Sequence, residues 1–209
     1  MQENIALKEK LFPKLLVPTR RLGRIRRAFV IVILLMLCAV GGILAVLTLF
    51  PMRHLATIEH YALMYELQPE FVSAIIHAES RFRADAISHA QAMGLMQIMP
   101  STGEWLAELM GIDDFTTDQL FDPDKNIRMG SFYIRHLLDI NDQDERRALA
   151  AYNAGTGNLR RWLNDPELSS DGKTLEHIPF TETRNYVDRV ARNQRIYKVL
   201  FTIRNLLPI

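Results

Sequence analysis

An uncharged apolar run from Ala28 to Phe50 constrains this chain more than any other feature. At about 1.5 Å per residue, a helix of this length can cross a hydrocarbon core of roughly 30 Å. The run is longer than the apolar region of a signal peptide, and it ends in Thr48-Leu49-Phe50-Pro51 rather than at a small-residue cleavage site. The sequence therefore predicts a retained transmembrane anchor, with cleavage as the alternative.

Charge is distributed unevenly around this run. Residues 1–27 carry a net charge of +6 and residues 51–209 carry −5, within a total of +1. The positive-inside rule then places the amino terminus in the cytoplasm and everything after Phe50 on the outside. We expect a basic cytoplasmic tail (1–27), a single membrane span (28–50) and an outer domain (51–209). The acidic outer domain argues against nucleic-acid binding, and the lone cysteine, Cys38, permits no intrachain disulfide.

The outer domain has the sequence pattern of a helical protein. Its apolar residues recur at helical spacing, and alternating runs rich in Val, Ile and Thr are nearly absent. The predicted fold class is therefore mainly α. In the helix that starts at Pro100, we expect Ser101 or Thr102 as the cap and Trp105, Leu106 and Leu109 on the inner face. The other predicted helices cover residues 56–64, 69–80, a segment after 124, 146–153, 158–163 and 182–203.

Glu79 is the strongest candidate for a chemical role. It falls on or beside the apolar face that Val72 and Ile75 define on the 69–80 helix. It also lies in the last turn, where the negative end of the helix dipole opposes a carboxylate. Burial and dipole both raise a carboxyl pKa, which suits a general acid. The alternative is a surface glutamate paired with Arg81 or Arg83.

An apolar loop follows, with the sequence Gly94-Leu95-Met96-Gln97-Ile98-Met99-Pro100. Gly94 permits a backbone conformation or a close approach that a side chain would block. Met96 and Met99 suit a groove with irregular apolar faces, and Gln97 offers a donor and an acceptor to an acetamido group or sugar hydroxyls. The alternative is that the two methionines belong to the core.

Two further segments carry polar groups at helix ends. Ala151-Tyr152-Asn153-Ala154-Gly155 places a phenol and an amide at the end of one helix, where an ordinary cap is the alternative. Tyr186 lies near the start of the last helix, where its hydroxyl can reach a catalytic carboxyl or serve a structural role.

In this order, the four motifs resemble those of SLT-type lytic transglycosylases, which are relatives of goose-type lysozyme. The motifs are Glu79-Ser80, Gly94-Leu95-Met96-Gln97, Ala151-Tyr152-Asn153-Ala154-Gly155 and Tyr186, and the resemblance covers roughly residues 55–205. It implies a lysozyme-like helical fold and cleavage of the β-1,4 bond between N-acetylmuramic acid and N-acetylglucosamine in peptidoglycan. The product implied is a 1,6-anhydro end rather than a hydrolysed one.

The resemblance also implies a role for each motif residue. Glu79 would act as acid and then base, and Tyr186 would orient it. The N-acetyl carbonyl of the substrate would serve as the internal nucleophile, with no cofactor. Residues 51–209 would form the catalytic domain, in the periplasm and held by the inner (cytoplasmic) membrane. The residues implied to hold the glycan strand are Ser80, Met96, Gln97, Tyr152 and Asn153.

Several alternatives stay open at this point. Asp85, Glu104 and Glu182 are candidates for a second carboxylate. Two other function classes are a membrane-anchored peptidoglycan-binding or assembly factor without catalysis, and a lysozyme-type hydrolase. We predict no metal, because His77 and His89 lack partners at ligand spacing. Asp122, Asp124 and Asn126 resemble the start of a calcium loop, but Ile127 stands where that loop needs glycine, so we expect helix capping instead.

Overall fold

The computed structural model describes residues 19–207, with side chains from Arg26 onward. Residues 1–18, which form most of the predicted basic tail, lie outside the described residues. The chain divides into two units, one ending at Leu49 and the other beginning at Phe50. The first unit contains a single described helix, α1 (Thr19–Leu49), in which the stretch Arg26–Leu49 has a mean hydropathy of 3.1. By length and composition alone, this stretch can cross a membrane, and a signal sequence would satisfy the same criterion.

The second unit is built from helices. Among its described residues no extended strand occurs, and isolated β-bridges join Met93 to Ile87 and to Ile98. The predicted mainly α class is confirmed. The helices are α2 (Leu55–Met64), α3 (Pro69–Glu79), α4 (Pro100–Leu109), a short 3₁₀ helix (Thr117–Phe121), α5 (Pro123–Asp139), α6 (Glu145–Ala154), α7 (Thr156–Leu163) and α8 (Thr181–Leu206).

Three of these helices begin with proline at their first residue, where the missing N–H costs no hydrogen bond. The predicted cap of α4 is wrong, because the helix already begins at Pro100 and Met99 precedes it without a side-chain cap. The predicted inner face of α4 is also partly wrong. Leu106 is fully buried, but Trp105 is 39% exposed and Leu109 is 51% exposed. The ring of Trp105 instead packs edge-on against residues of α5.

Helix α5 supplies the centre of the domain. Ile127, Gly130, Ile134, Leu137 and Leu138 form one stripe along this helix, and all five residues are buried. Gly130 makes room for the preceding loop, because a Cβ at this position would come within 2.3 Å of the Met96 sulfur. Helix α3 packs along α8, and α6 packs against α5, α7 and α8. The end of α3, the start of α8 and the end of α6 therefore meet at one place on the domain.

Candidate active site

Glu79 is the last residue of α3 and lies half-buried above an apolar layer. Ile75 and Ile76, one turn earlier, are fully buried. Desolvation is the main cause that raises the Glu79 pKa from 4.5 to about 7; a hydrogen bond from Tyr186 and the charge of Arg189 oppose it. The surface-pair alternative is wrong, since neither nearby arginine forms an ion pair with Glu79 among the described residues.

Tyr186 lies on α8 and is only 1% exposed. Its hydroxyl interacts with the Glu79 carboxyl closely enough to lower that group's pKa. Yet, in the part of the chain that the structure describes, no partner of this hydroxyl meets full hydrogen-bond geometry. Burial, followed by the nearby Glu79 charge, raises the pKa of Tyr186 well above its usual value. The phenol is therefore a neutral donor held beside the acid, with some of its bonding capacity unused.

Tyr152 lies at the end of α6 and joins that helix to the Gly94–Gln97 segment. Its hydroxyl donates to the backbone oxygen of Met96 at 2.7 Å. Burial, followed by the charge of Glu79, raises the pKa of Tyr152 well above its usual value, which places this phenol in the surroundings of the acid. The next residue, Asn153, accepts a hydrogen bond of 2.7 Å from the Thr183 hydroxyl and so links α6 to the first turn of α8.

The loop at Gly94 depends on close backbone approach, as its sequence predicts. Gly94 has φ +79°, and a Cβ there would come within 2.1 Å of the Leu120 carbonyl oxygen and 2.3 Å of the Asn126 amide nitrogen. Gln97 also adopts a positive φ of 50°, which is strained for a residue with a side chain. Its amide nitrogen donates to the carbonyl oxygens of Gly94 and Ala86 at 2.8 and 3.1 Å. The oxygen of the same amide is then the group that can accept a hydrogen bond from a ligand.

Two residues expected to hold a glycan lie beneath the surface. The Met96 side chain is fully buried against Gly130, and Ser80 is 2% exposed. The Ser80 hydroxyl donates to the Leu95 carbonyl oxygen at 2.8 Å, which ties the end of α3 to the loop. Neither side chain is exposed in this structure, so the role of Ser80 and Met96 in holding a glycan stays a prediction. Met99, by contrast, is 38% exposed.

Asn126 is the residue whose importance the sequence did not reveal. It is fully buried on α5. Its side-chain oxygen accepts from the Met96 N–H at 2.7 Å, and its amide nitrogen donates to the carbonyl oxygens of Leu120 and Met93 at 2.7 and 3.1 Å. In the sequence, Asn126 is visible only as an amide two turns before Ile134 on an otherwise apolar helix face, and the predicted capping role is wrong for this residue.

The predicted capping role of this segment is confirmed for Asp122. Its carboxylate accepts from the backbone N–H groups of Asp124 and Lys125 at 2.9 and 3.1 Å. Asp124 accepts a hydrogen bond of 2.8 Å from the Tyr61 hydroxyl. Across the residues that the structure describes, no group of three or more His, Cys, Asp or Glu side chains is arranged to hold a metal ion.

Of the three candidate second carboxylates, Glu182 is the one whose charge affects the Glu79 pKa. Its charge raises the Glu79 pKa, and it lies one turn before Tyr186 on α8. Asp85, Glu104 and Glu182 are all exposed. An exposed carboxylate can assist electrostatically, but none of the three shares the dry surroundings of Glu79.

An open cleft adjoins this cluster on the side of Tyr152. It has a volume of about 420 Å³ and is lined by α4, α5 and α7, with Trp105, Tyr133 and Arg160 among its residues. The Tyr133 and Tyr152 ring centroids are 5.1 Å apart, so the cleft ends beside the acid's neighbours rather than at Glu79 itself. A second cavity of about 410 Å³ shares Ile140, Thr156 and Arg160 with the first. We call the two cavities together the Arg160 cleft.

A protein family and several known proteins are similar in sequence to this chain. The family model described as the transglycosylase SLT domain matches residues 56–173. The soluble lytic murein transglycosylase of Escherichia coli is 32% identical over 151 residues, covering 71% of this chain and 23% of that protein. The membrane-bound lytic murein transglycosylase C of Histophilus somni is 32% identical over 178 residues, covering 75% of this chain and 49% of that protein. The chain thus spans between 23% and 49% of the length of these two relatives.

Solved structures give the same result. An inactive mutant of the lytic transglycosylase Slt from Pseudomonas aeruginosa superposes with a TM-score of 0.67 at 38% identity, over 73% of this chain and 25% of that chain. The 70 kDa soluble lytic transglycosylase of Escherichia coli superposes with a TM-score of 0.65 at 31% identity, over the same shares.

These superpositions show that the helical domain has the lysozyme-like fold, and they confirm the predicted fold class. Within that class, the chain belongs to the transglycosylase SLT domain family.

Proposed function

We propose that this chain is a membrane-anchored peptidoglycan lytic transglycosylase. It cleaves the β-1,4 bond between N-acetylmuramic acid and N-acetylglucosamine and leaves a 1,6-anhydro end. The observation that carries the proposal is the state of Glu79. Its surroundings raise the carboxyl pKa to about 7, so that a proton is available near neutral pH. The names of the soluble and membrane-bound relatives add support.

The reaction needs one group that first gives a proton and then takes one. Glu79 donates its proton to the glycosidic oxygen as the bond to C1 of the muramic acid breaks, and the carbonyl oxygen of the substrate's N-acetyl group bonds to C1. The resulting carboxylate then accepts the proton of the C6 hydroxyl as that oxygen attacks C1 and displaces the acetamido oxygen. The reaction consumes no water, and Glu79 is protonated again at its end.

The remaining site residues position the acid and the glycan. Tyr186 donates towards Glu79 and stabilises the carboxylate that forms midway. Tyr152 holds the loop through Met96, Asn153 holds the start of α8 through Thr183, and Gln97 offers its amide oxygen to the glycan. Ser80 and Met96 are buried and act indirectly, by fixing the backbone of the Gly94–Gln97 segment.

The proposed localisation rests on the apolar helix and on the basic residues that precede it. The Arg26–Leu49 stretch is apolar enough to span, and the basic residues that precede it favour a cytoplasmic amino terminus. We propose a single span of the bacterial inner membrane. The tail is residues 1–27, the span is residues 28–50, and the catalytic domain, residues 51–209, faces the periplasm.

The first test replaces the acid with its amide. Glu79→Gln should keep the fold and the binding of glycan strands but lose roughly 10³-fold or more in turnover, because the amide has no proton to give. The matched control is Glu70→Gln, at the opposite end of α3, which should retain turnover. Digestion of purified peptidoglycan by the full chain in detergent, followed by chromatography of the released fragments, measures both. Normal turnover by Glu79→Gln would remove the basis of the proposal.

The second test identifies the product. A transglycosylase leaves muramic acid ends that are lighter than hydrolysed ends by one water, and mass spectrometry of the fragments separates the two. Anhydro ends are expected. Reducing ends would instead identify a lysozyme-type hydrolase, and the absence of any cleavage would favour a binding or assembly factor.

A further inference from the structure

The last helix, α8, leaves an apolar and basic face uncovered along its carboxyl-terminal half. We infer that this face docks on the lipid surface of the membrane that the anchor spans, with its apolar side chains at the edge of the acyl chains and its arginines at anionic headgroups. The inference goes beyond the proposed function, because it adds a second membrane contact to the span. It rests on the proposed anchor and on no step of the reaction.

The apolar part of this face points away from the domain. Val199, Ile203 and Leu206 are 56%, 49% and 73% exposed. Their spacing of four and three residues places them on one side of the helix. The opposite side carries Tyr197 and Phe201, which are buried in the core. A helix that packs on one side normally presents polar residues on the other, so an exposed apolar stripe indicates a surface that binds something.

Basic residues continue the stripe towards the middle of the helix. From Arg189 to its end, α8 contains five Lys or Arg residues and no Asp or Glu, although the outer domain carries a net charge of −5. Arg195 and Arg192 lie one and two turns before Val199 on the same side, and both are exposed. Neither forms an ion pair with another described residue.

The combination of charge and apolar surface identifies the occupant. Basic residues beside an apolar stripe are typical of helices that lie on anionic lipid, where each Lys or Arg near the surface adds to the attraction. A second copy of the same face would instead bring like charges together. Charge complementarity therefore favours a lipid surface over self-association.

The chain itself brings the membrane to this part of α8. The apolar stretch of α1 ends at Leu49, and Pro51 already belongs to the outer domain, where its carbonyl oxygen accepts a hydrogen bond of 3.2 Å from the Tyr197 hydroxyl. The Phe50 ring packs edge-on against the Tyr197 ring. Given the proposed span, the chain leaves the bilayer beside Tyr197. From there to Leu206, α8 runs for only about 14 Å, so the stripe is within reach of the lipid surface.

A neighbouring helix adds apolar surface at the same end of the domain. Arg204 forms an ion pair with Glu59 of α2, which ties the end of α8 to that helix. Leu63 lies one turn beyond Glu59 on the same side of α2 and is 82% exposed. Two helices that are joined to each other therefore present large apolar side chains where the outer domain follows the span.

Docking through this face leaves the active site accessible. Tyr186, which lies beside Glu79, is buried and lies roughly 25 Å along α8 from Ile203. The docking face and the active site are therefore separate surfaces, and one can be altered without the other. Docking fixes the height of Glu79 above the membrane, and with it the layer of glycan strands that the acid can reach.

The experiment measures contact between Ile203 and lipid in the full chain. The chain is reconstituted into vesicles of phosphatidylcholine and phosphatidylglycerol, with a polarity-sensitive fluorophore on Ile203→Cys in a Cys38→Ser background. The emission should shift to shorter wavelength, and lipids that carry a spin label near the headgroup should quench it. The matched control is Leu109→Cys in the same background, because Leu109 is 51% exposed on α4. Its label should emit as it does in water.

A second comparison tests the arginines. Arg192→Gln combined with Arg195→Gln should lower the ratio of docked to undocked chain roughly 25-fold, at about 1 kcal/mol for each basic residue near an anionic surface. Vesicles of phosphatidylcholine alone should also reduce quenching of the Ile203 label. Arg160→Gln combined with Arg161→Gln, two exposed residues of α7, makes the same change in net charge and should leave the ratio as it is.

The outcomes separate docking from the anchor. A label on the native Cys38 must be quenched by lipids with a spin label deep in the acyl chains; without that quenching, the proposed anchor fails and this inference fails with it. If Cys38 is quenched and the Ile203 label emits as in water, the anchor stands and docking is wrong. A shift that lipid labels do not quench, and that grows with the amount of protein per vesicle, would identify a second copy as the occupant and overturn the inference. Quenching at Ile203 but not at Leu109, weakened by loss of the two arginines, supports it.

Discussion

The two walls of the candidate active site are held in place by different forces. The helical wall, formed by α3 and α8, presents Glu79 and Tyr186 and rests on apolar packing, with Ile75 and Val190 fully buried behind it. The loop wall, formed by residues 93–98, has almost no regular structure. It is held by side chains from elsewhere: Tyr152 and Ser80 donate hydrogen bonds of 2.7 and 2.8 Å to its carbonyl oxygens, and Asn126 accepts one of 2.7 Å from its Met96 N–H.

The difference follows from what each wall must do. A carboxyl that keeps its proton needs dry surroundings, and packed helices supply them because their own backbone groups are already paired. A loop that approaches the acid brings unpaired N–H and C=O groups into the same dry region. Each of these groups then needs a partner from a side chain. The helical wall therefore distributes its stability over many contacts, whereas the loop wall concentrates it in a few.

The prediction with the largest expected effect tests whether the stability of the loop wall depends on a few side-chain hydrogen bonds. Asn126→Ala should lower the free energy of unfolding by about 4 kcal/mol, because three hydrogen bonds are lost and the Met96 N–H and Leu120 carbonyl remain buried without a partner. Chemical denaturation followed by the fluorescence of Trp105 and Trp162 measures the change.

The matched control is another buried asparagine, outside the loop wall. Asn141, two residues after the end of α5, donates one side-chain hydrogen bond of 2.7 Å, to the Leu137 carbonyl oxygen. Asn141→Ala should cost about 1 kcal/mol. Equal losses for the two variants would mean that the loop wall does not depend on Asn126 in the way we describe.

The next prediction concerns the helical wall and its dependence on pH. The folded chain holds a proton on Glu79 up to about pH 7, whereas the unfolded chain releases it near 4.5. The free energy of unfolding therefore falls as the pH rises through this window, by up to about 3 kcal/mol. Glu79→Gln removes this loss, so the variant should equal the original chain in acid and exceed it above about pH 7. Denaturation curves measured across the window check this, and a constant difference at all pH values would contradict a buried, protonated Glu79.

Much of the helical wall could be predicted from the sequence. The spacing of Val72, Ile75 and Glu79 places the carboxyl over an apolar face, and Pro69 marks the start of the helix. The long last helix is also predicted, to within three residues at its end. These features are local, since periodicity and proline positions depend only on neighbours along the chain.

The loop wall could be predicted only as a motif. Gly94 signals a close approach, but the groups it approaches, Leu120 and Asn126, come from segments more than 25 residues away. For Met96 the sequence leaves both a groove position and a core position open, and the small size of Gly130 leaves room for it in the core. Trp105 is predicted to face the core but lies in the cleft. Both outcomes depend on contacts between distant segments, which no local pattern records.

The smallest effect tests the contact inside the helical wall, between Tyr186 and Glu79. Tyr186→Phe should reduce kcat about tenfold, because the carboxylate formed midway loses a donor. Removing that donor should also raise the Glu79 pKa, so the loss of activity above neutral pH should move to higher pH. The free energy of unfolding should change little, since the hydroxyl has no partner at full hydrogen-bond geometry among the described residues.

The control is Tyr197→Phe, on the same helix. It removes a hydroxyl that bonds to the Pro51 carbonyl oxygen and should leave the pH profile of activity unchanged. If Tyr186→Phe shifts only stability, the residue supports the helix and does not position the acid.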